Sequence, residues 1–587
     1  MWDIVRDSTF GQLLNYSSGG RYASFPEQRP SFAPPARLRR RDLESSRTST
    51  TAQVQGEGGD APPTESNDEV NPVTTAGFSP VQRQQTQSLV EEALTRTRSH
   101  TTLAERGAAR RVERLEEEQK WCVSWEEGDP DRPMNWSMPK KCFVGFQIAL
   151  YTFSIYVAAA IYTPAIPEVS SELGVSLVVS TLGLSLFVFG YGLGPMLLSP
   201  LQEAARYGRT PIYIGGLFLF VLFQISPPVA GDSLPVLLVF RVLAGFVGSP
   251  ALATGGATMT DVFPPAQQAM AIGVWAMGAA SGPLLGPPMS GYAVQLAGWR
   301  WSFYETLFLS GSTLILTFFF LPETLESTIL LRRAERPRRV TGNNSIKTGC
   351  ELNSEVDVGL RDLLWVNAKR VTKLCLEPAI LVANIHLALV YAILFTFFES
   401  FPIVFSEIHG WSVGATGLAF LCFAATAPFV LLSYYIYQKR IMEPRMFDPK
   451  KPFQPEMRLE LGIFAGILIF IALIIFEWTG RGESVHWFWP LFGAAIYFPG
   501  IYFTFQSILL YVGSSFPSYA ASIFAGNNFF RSCFAAPFPL FARAFFDALG
   551  IGGGNTFLAV ASLGTTGFLC LIYRYGERLR ARSRFTG

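Results

Sequence analysis

The sequence predicts an all-α protein embedded in a lipid bilayer, with twelve membrane-crossing helices in two sets of six. Three observations carry this. The chain of 587 residues is 49% hydrophobic and only 16% charged, where soluble domains carry about a quarter charged residues. The apolar excess begins after residue 141 and comes in blocks of about 20 residues, the length a helix needs to cross a bilayer. Lysines and arginines collect in alternate connecting loops, the pattern of cytoplasmic loops in membrane proteins. The 50 Phe and 12 Trp suit lipid-facing surfaces and interfacial belts.

Residues 1–120 read as a cytoplasmic, largely disordered tail. From Ser24 to Ser99 the tail is rich in Pro, Gly, Ser, Thr, Gln and charge, too polar to bury a core. Met1 to Leu14 carries Trp2, Val5, Phe10 and Leu13 at roughly helical spacing, as in a short amphipathic segment. Glu91 to Lys120 is at best a solvated helix. Residues 121–322 hold the first six spans, expected near 142–163, 176–198, 210–228, 234–257, 267–292 and 301–322. The third and fourth are the weakest pair, because Pro227, Pro228 and Pro235 crowd their turn. A cytoplasmic central loop over 323–377 is strongly basic from Arg332 to Lys373. The second six spans lie within 378–574, near 378–401, 412–436, 459–478, 485–511, 518–545 and 555–574, and a basic cytoplasmic tail closes the chain over 575–587. The loops on the other side hold little positive charge beyond Arg300, Arg481 and Arg543.

Several function classes are excluded at this level. A net charge of +2, with no basic patch interleaved with aromatics, argues against nucleic acid as a partner. The seven cysteines are scattered, without the spacing of a disulfide framework or a metal site. No phosphate-cradling glycine loop and no His/Cys/Asp cluster is present. No enzyme activity, cofactor or metal is therefore expected, and energy for any movement of solute must come from a gradient. MWDIVRDSTF has no apolar run of signal-peptide length, so the first span is expected to direct insertion.

Three motifs stand out. The first is Gly190-Tyr-Gly-Leu-Gly-Pro-Met-Leu-Leu-Ser-Pro-Leu-Gln-Glu203, followed by Arg206-Tyr-Gly208-Arg209. Its glycines and prolines let helices approach closely, and its loop puts an acid and a guanidinium at the inner surface. The second is Phe240-Arg241-Val-Leu-Ala-Gly245, with an arginine inside an apolar span, where a charge is costly and marks a functional-site candidate. The third is Gly278-Ala-Ala-Ser-Gly282-Pro283-Leu-Leu-Gly286-Pro287, whose small residues four apart make one helix face smooth for tight packing.

Together these motifs resemble the major facilitator superfamily, and within it the fungal twelve-helix drug:proton antiporter branch, in particular the azole and benomyl multidrug-resistance-like subgroup. Supporting stretches include Asn135-Trp136-Ser before the first span, Leu321-Pro-Glu-Thr324, Phe397-Phe-Glu399-Ser-Phe-Pro402 and Pro455-Glu456-Met-Arg458. The resemblance covers about residues 121–584 and implies the major facilitator fold of two six-helix bundles around a central cavity. It further implies a monomer that exports drugs, toxins or other amphipathic small molecules from the cytosol in exchange for protons, at the plasma membrane or alternatively the vacuolar membrane. Glu203, Gly208 and Arg209 take the place of the family's cytoplasmic gate, although the acid is Glu rather than Asp and two additional residues precede the Gly-Arg pair. Arg241 takes that of the proton-coupling arginine, with a purely structural bracket as the other reading. Asp261 falls where the family places a partner for the gate arginine. Gly278, Gly282, Pro283, Gly286 and Pro287 correspond to the signature that separates antiporters from uptake symporters. Two rivals remain: uptake of polyamines or a metabolite by the same fold, and a transport-dead membrane sensor.

Other polar and aromatic positions inside the spans complete the candidates. His386 either carries a proton, since its ordinary pKa of about 6.5 is in range, or is a satisfied packing residue. Glu399 either binds a cationic substrate or faces the outer vestibule. Gln147, Gln506, Asn527 and Arg531 are expected to line the cavity, because polar side chains avoid lipid, with Arg531 equally readable as a bracket. Tyr151, Trp275, Tyr391 and Tyr502 are aromatic candidates for an apolar pocket.

Overall fold

In the computed structural model of the protein, the described residues are 2–18, 22–28, 122–229, 233–352, 359–449, 453–482, 484–516 and 520–581. The solvated helix expected over Glu91 to Lys120, and nearly all of the tail expected to be disordered, fall outside them. The amphipathic segment at the start is helical, as α1 (Trp2–Asp7) and α2 (Thr9–Ser17).

A backbone in lipid must satisfy its own hydrogen bonds, so each apolar block becomes a helix. The first bundle is α3 (Met138–Ala160), α4 (Leu177–Glu203), α5 (Thr210–Val229), α6 (Leu234–Gly248) continued by α7 (Pro250–Val262), α8 (Pro265–Ala297) and α9 (Trp301–Phe320). After α10 (Glu326–Thr341) and α11 (Leu360–Cys375) comes the second bundle. It comprises α12 (Pro378–Phe398), α13 (Val413–Ala419) with α14 (Leu421–Tyr437), α15 (Leu459–Thr479), α16 (Phe488–Ser515), α17 (Ala520–Ala535) and α18 (Phe538–Ala581). Prolines sit in the first turn of α3, α6, α8 and α12, where a missing N–H costs nothing.

Among the described residues, 11 helices are long and apolar enough to cross a membrane. The remaining crossing is divided. α17, 16 residues long, stops short of Pro537, and α18 turns at Gly550, whose φ of 67° is open to glycine at no steric cost. The eleventh crossing is thus α17 with the start of α18, and the rest of α18 is the twelfth. Burial separates the centre from the rim. The apolar windows of the segments containing α3, α12 and α16 are 78%, 78% and 83% buried, against 33% for α5 and 28% for α9, which face lipid.

The two bundles meet along α8 with α13 and α14, and along α4 with α17. Hydrogen bonds cross this junction along its whole height. Gln295 Oε1 accepts from the Gly414 N–H at 2.9 Å, Tyr502 donates to the Gly273 carbonyl at 2.9 Å, and Tyr434 donates to the Ala269 carbonyl at 3.3 Å. The amino-terminal segment packs at the basic end of the first bundle, the end that carries the α4–α5 turn. There Phe10 meets Phe319 with ring centroids 4.8 Å apart, Asp7 pairs with Lys140 at 3.5 Å, and Ser8 bridges to Pro322.

A second compact unit gathers the described parts of 14–135 with those of 326–357. Its two short parallel strands, β1 (Cys122–Val123) and β2 (Lys347–Thr348), pair Cys122 with Lys347 and Val123 with Thr348. Ion pairs hold the rest. Arg333 of α10 pairs with both Asp129 and Glu27, Arg336 reaches Glu27 at 3.1 Å, and Arg132 reaches Glu326 at 2.9 Å.

Candidate functional site

The gate motif forms a compact polar cluster at the basic end. Gly208 turns the chain with φ of 78°, which suits glycine, and this carries Arg209 back under α7. The guanidinium of Arg209 is 2.8 Å from Asp261 Oδ2 and donates to the Thr258 hydroxyl at 2.9 Å. Burial opposes the charge on Arg209, but Asp261, Tyr213, Glu203 and Glu323 outweigh it and raise its pKa above the ordinary value. Glu203, at the end of α4, interacts electrostatically with Arg209 and with Arg370 of α11. Glu323, 4% exposed, caps the start of α5, accepting from the Arg209 and Thr210 N–H groups at 3.1 and 3.4 Å. Glu203, Arg209 and Asp261 are therefore brought together, with Glu323 as a fourth member.

Arg241 lies buried inside the first bundle. It donates to the carbonyls of Gly183, Ala158 and Ala159 at 2.8, 2.8 and 3.4 Å and lies over the rings of Phe187 and Tyr162. These are the contacts of a bracket joining α6 to α3 and α4. Gly278, Gly282 and Gly286 bring α8 against Ala149, Tyr156 and Ala160 of α3, so a side chain there would collide with the neighbouring helix. Pro287 faces Gly417 of α13, where the smooth face reaches the other bundle, and Pro283 lines a narrow space at the junction.

At mid-height the bundles are joined through Arg531 of α17. It donates to the Tyr391 hydroxyl at 3.0 Å, to Asn528 Oδ1 at 2.7 Å, and to the hydroxyl of Tyr156 in the first bundle. Its guanidinium lies 4.5 Å from the Tyr391 ring centre and 4.9 Å from that of Phe505. Asn528 crosses as well, donating to the Tyr191 carbonyl at 3.0 Å. Beside this knot, Pro283, Leu284, Tyr391, Phe398, Phe423 and Tyr497 surround a cavity of about 10 Å³, room for one water. The junction is closed.

The other candidates are dispersed. Asn527 donates to Asn384 at 2.8 Å, inside the second bundle. His386 Nδ1 lies 2.8 Å from the Thr565 carbonyl of α18, inside the second bundle. Gln147 donates to the Phe320 carbonyl at 3.2 Å, and Trp275 to the Thr152 hydroxyl at 2.9 Å, both within the first bundle. Trp275 also faces Phe505 across the junction, with centroids 6.4 Å apart. Gln506 interacts with the Tyr434 hydroxyl, and the hydroxyl of Tyr151 is buried with no hydrogen-bond partner among the described residues. Glu399 ends α12 and interacts with Arg543.

A family description, Major Facilitator Superfamily, matches residues 148–539. The chain belongs to the major facilitator superfamily. Among its superfamily relatives, Transporter mfs1 of Schizosaccharomyces pombe is 39% identical over 473 residues, 79% of this chain and 88% of the relative. The Cycloheximide resistance protein of Candida maltosa is 37% identical, covering 79% and 85%. Fluconazole resistance protein 1 of Saccharomyces cerevisiae is also 37% identical, covering 80% and 86%. The structure of the proton:xylose symporter XylE bound to a sugar analogue aligns at a TM-score of 0.53 with 12% identity, covering 76% of this chain and 96% of that one. It shares the superfamily fold.

Within that fold, sequence reasoning missed Glu323, Tyr156 and Asn528 as site residues. Glu323 sits in the quoted Leu-Pro-Glu-Thr stretch, yet nothing local ties it to a turn 114 positions earlier. Asn528 adjoins the flagged Asn527, and in a helix adjacent positions point to different faces. Tyr156 carries no signal among so many aromatics.

Proposed function

We propose that this superfamily member acts as a monomer in the plasma membrane, its basic end facing the cytosol, and exports amphipathic drug-like compounds in exchange for protons. The observation that carries the reading is the Arg531 knot. A buried cation of one bundle, stacked on aromatic rings and bound to a phenol of the other, must be released before the junction opens to either side. An aromatic or amphipathic solute can take over those ring faces and the guanidinium contacts, so binding and opening are linked. Relatives named for resistance to cycloheximide and fluconazole support drugs as the substrate class. The glycine-rich packing of α8 on α3 supports export.

Proton exchange is best placed on the carboxylates around Arg209. Asp261 supplies the main counter-charge, and a proton on it or on Glu203 removes attraction from the cluster. Proton and substrate stay coupled when each favours a different arrangement of the bundles. Arg241 and His386 have their named bonds inside a single bundle, and we assign them to keeping those bundles rigid.

Expression in an efflux-deficient yeast, scored against a panel of toxic compounds with and without a protonophore, tests this reading. Protection against at least one compound, abolished by the protonophore, is expected. Raised intracellular accumulation would instead identify uptake, and no flux of any compound would favour a sensor.

A further inference from the structure

At the basic end of the second bundle, beside Tyr434 of the junction, a guanidinium is buried without a counter-ion among the described residues. Arg458 immediately precedes α15 and is 7% exposed. Its Nη2 reaches the Met446 sulfur at 3.4 Å and its guanidinium lies 5.3 Å from the Phe453 ring. Among the described residues its Nε and Nη1 are buried with no hydrogen-bond partner, and so is the hydroxyl of Tyr437. The nearby carboxylates are engaged elsewhere. Glu456 holds Arg580 at two points, both 2.8 Å, while Glu460 pairs with Arg445 at 2.7 Å and accepts from Tyr573 at 3.1 Å. A buried cation with unused donors is costly, and it points to an anion.

The surroundings say which anion. Arg458, Tyr437 and Leu461 line a cavity of about 10 Å³, enough for one oxygen-sized group. Tyr437 and Leu461 also line an open groove of about 300 Å³, together with Ser433, Phe464 and Phe503. Phe464 is 53% exposed, so the groove opens on the side of the bundle that faces lipid. Glu460, which also lines the groove, is neutralised by Arg445, Lys439 is paired with Glu443, and Arg440 adds positive charge beside them. Basic clusters at this depth attract anionic headgroups.

We propose that this groove seats an anionic phospholipid of the leaflet at the basic end. One phosphate oxygen reaches Arg458 and Tyr437, and an acyl chain lies along Leu461, Phe464 and Phe503. A free phosphate would satisfy the guanidinium but leave the apolar groove empty, so the lipid is the fitting occupant.

Native mass spectrometry of the full-length protein, titrated with phosphatidylserine or phosphatidylcholine, tests the proposal. Arg458→Gln is expected to lower phosphatidylserine binding about fivefold and to leave phosphatidylcholine binding unchanged. Leu461→Trp fills the groove while keeping the guanidinium, and is expected to produce the same loss without altering thermal unfolding. It carries the test if Arg458→Gln does not fold. Excess inorganic phosphate should fail to displace the lipid. Wild-type phosphatidylserine binding in either folded variant would overturn the proposal, and displacement by inorganic phosphate would replace the lipid with a free anion.

Discussion

Arg241 and Arg531 are both buried guanidiniums whose named hydrogen bonds go to neutral acceptors, and they differ in what they hold together. Arg241 binds carbonyls within one bundle. Replacing it with Ala removes those bonds and empties the space the guanidinium fills, a cost of about 1–3 kcal/mol. Arg241→Ala should therefore lower the thermal unfolding temperature in detergent, with Lys restoring part of the loss because it keeps charge without the planar fork. A variant with wild-type stability and no transport would return Arg241 to proton coupling. Arg531 instead spans the junction through the Tyr156 hydroxyl. Tyr156→Phe removes that one bond, worth about 0.5–1.5 kcal/mol, and should shift the ratio of open to closed junctions by up to about tenfold. Tyr391→Phe removes a bond inside the second bundle and should shift it less, as read by cysteine accessibility at the junction. Arg241 and Arg531 were both legible in the sequence, because charge within an apolar block is conspicuous. Their partners were not, because a backbone carbonyl has no sequence signature and Tyr156 is one of 20 tyrosines.

At the scale of elements, helix positions follow the apolar blocks within a few residues, since the bilayer leaves the backbone little else to do. The division of the eleventh crossing was not legible. Pro537 breaks a helix, yet Pro283, Pro287 and Pro288 lie inside α8 without ending it, so proline alone does not decide. The α4–α5 turn shows how an element acts on the gate. Glu323 caps α5 from the far end of the bundle sequence, and losing a cap costs about 0.5–2 kcal/mol. Glu323→Ala should loosen the start of α5, displace Arg209 from Asp261 and slow transport. Drug binding at equilibrium should persist, since the Arg531 knot is untouched. Gly208→Ala forces a left-handed conformation on a side chain, at about 1–2 kcal/mol, and should produce the same split. Loss of drug binding in either variant would place the turn in the substrate path.

At the scale of the molecule, the two bundles and the basic loops were legible from spacing and charge alone, whereas the organisation of the extramembrane parts was not. The expectation that both termini and the central loop are cytoplasmic is open to a direct check. Asn15 and Asn343 stand in glycosylation sequons and should remain unmodified in a secretory-pathway expression host. A glycan on either would reverse the orientation. Asn15 also donates to the Ala23 carbonyl at 3.0 Å and to Gln28 at 2.9 Å, bonds that a sugar would remove. The ion pairs of Arg333 have a topological meaning. One side chain grips both Glu27 and Asp129, so two positions 102 residues apart in sequence are fixed at one point of α10. The entropy of bringing two such positions together grows only slowly with their separation, so inserting a few residues between them should be nearly free. A protease nick between the two carboxylates would sever the polypeptide without releasing a fragment, because the amino-terminal piece is held by the clamp and by the Phe10 and Ser8 contacts together, and the two pieces should separate only in denaturant.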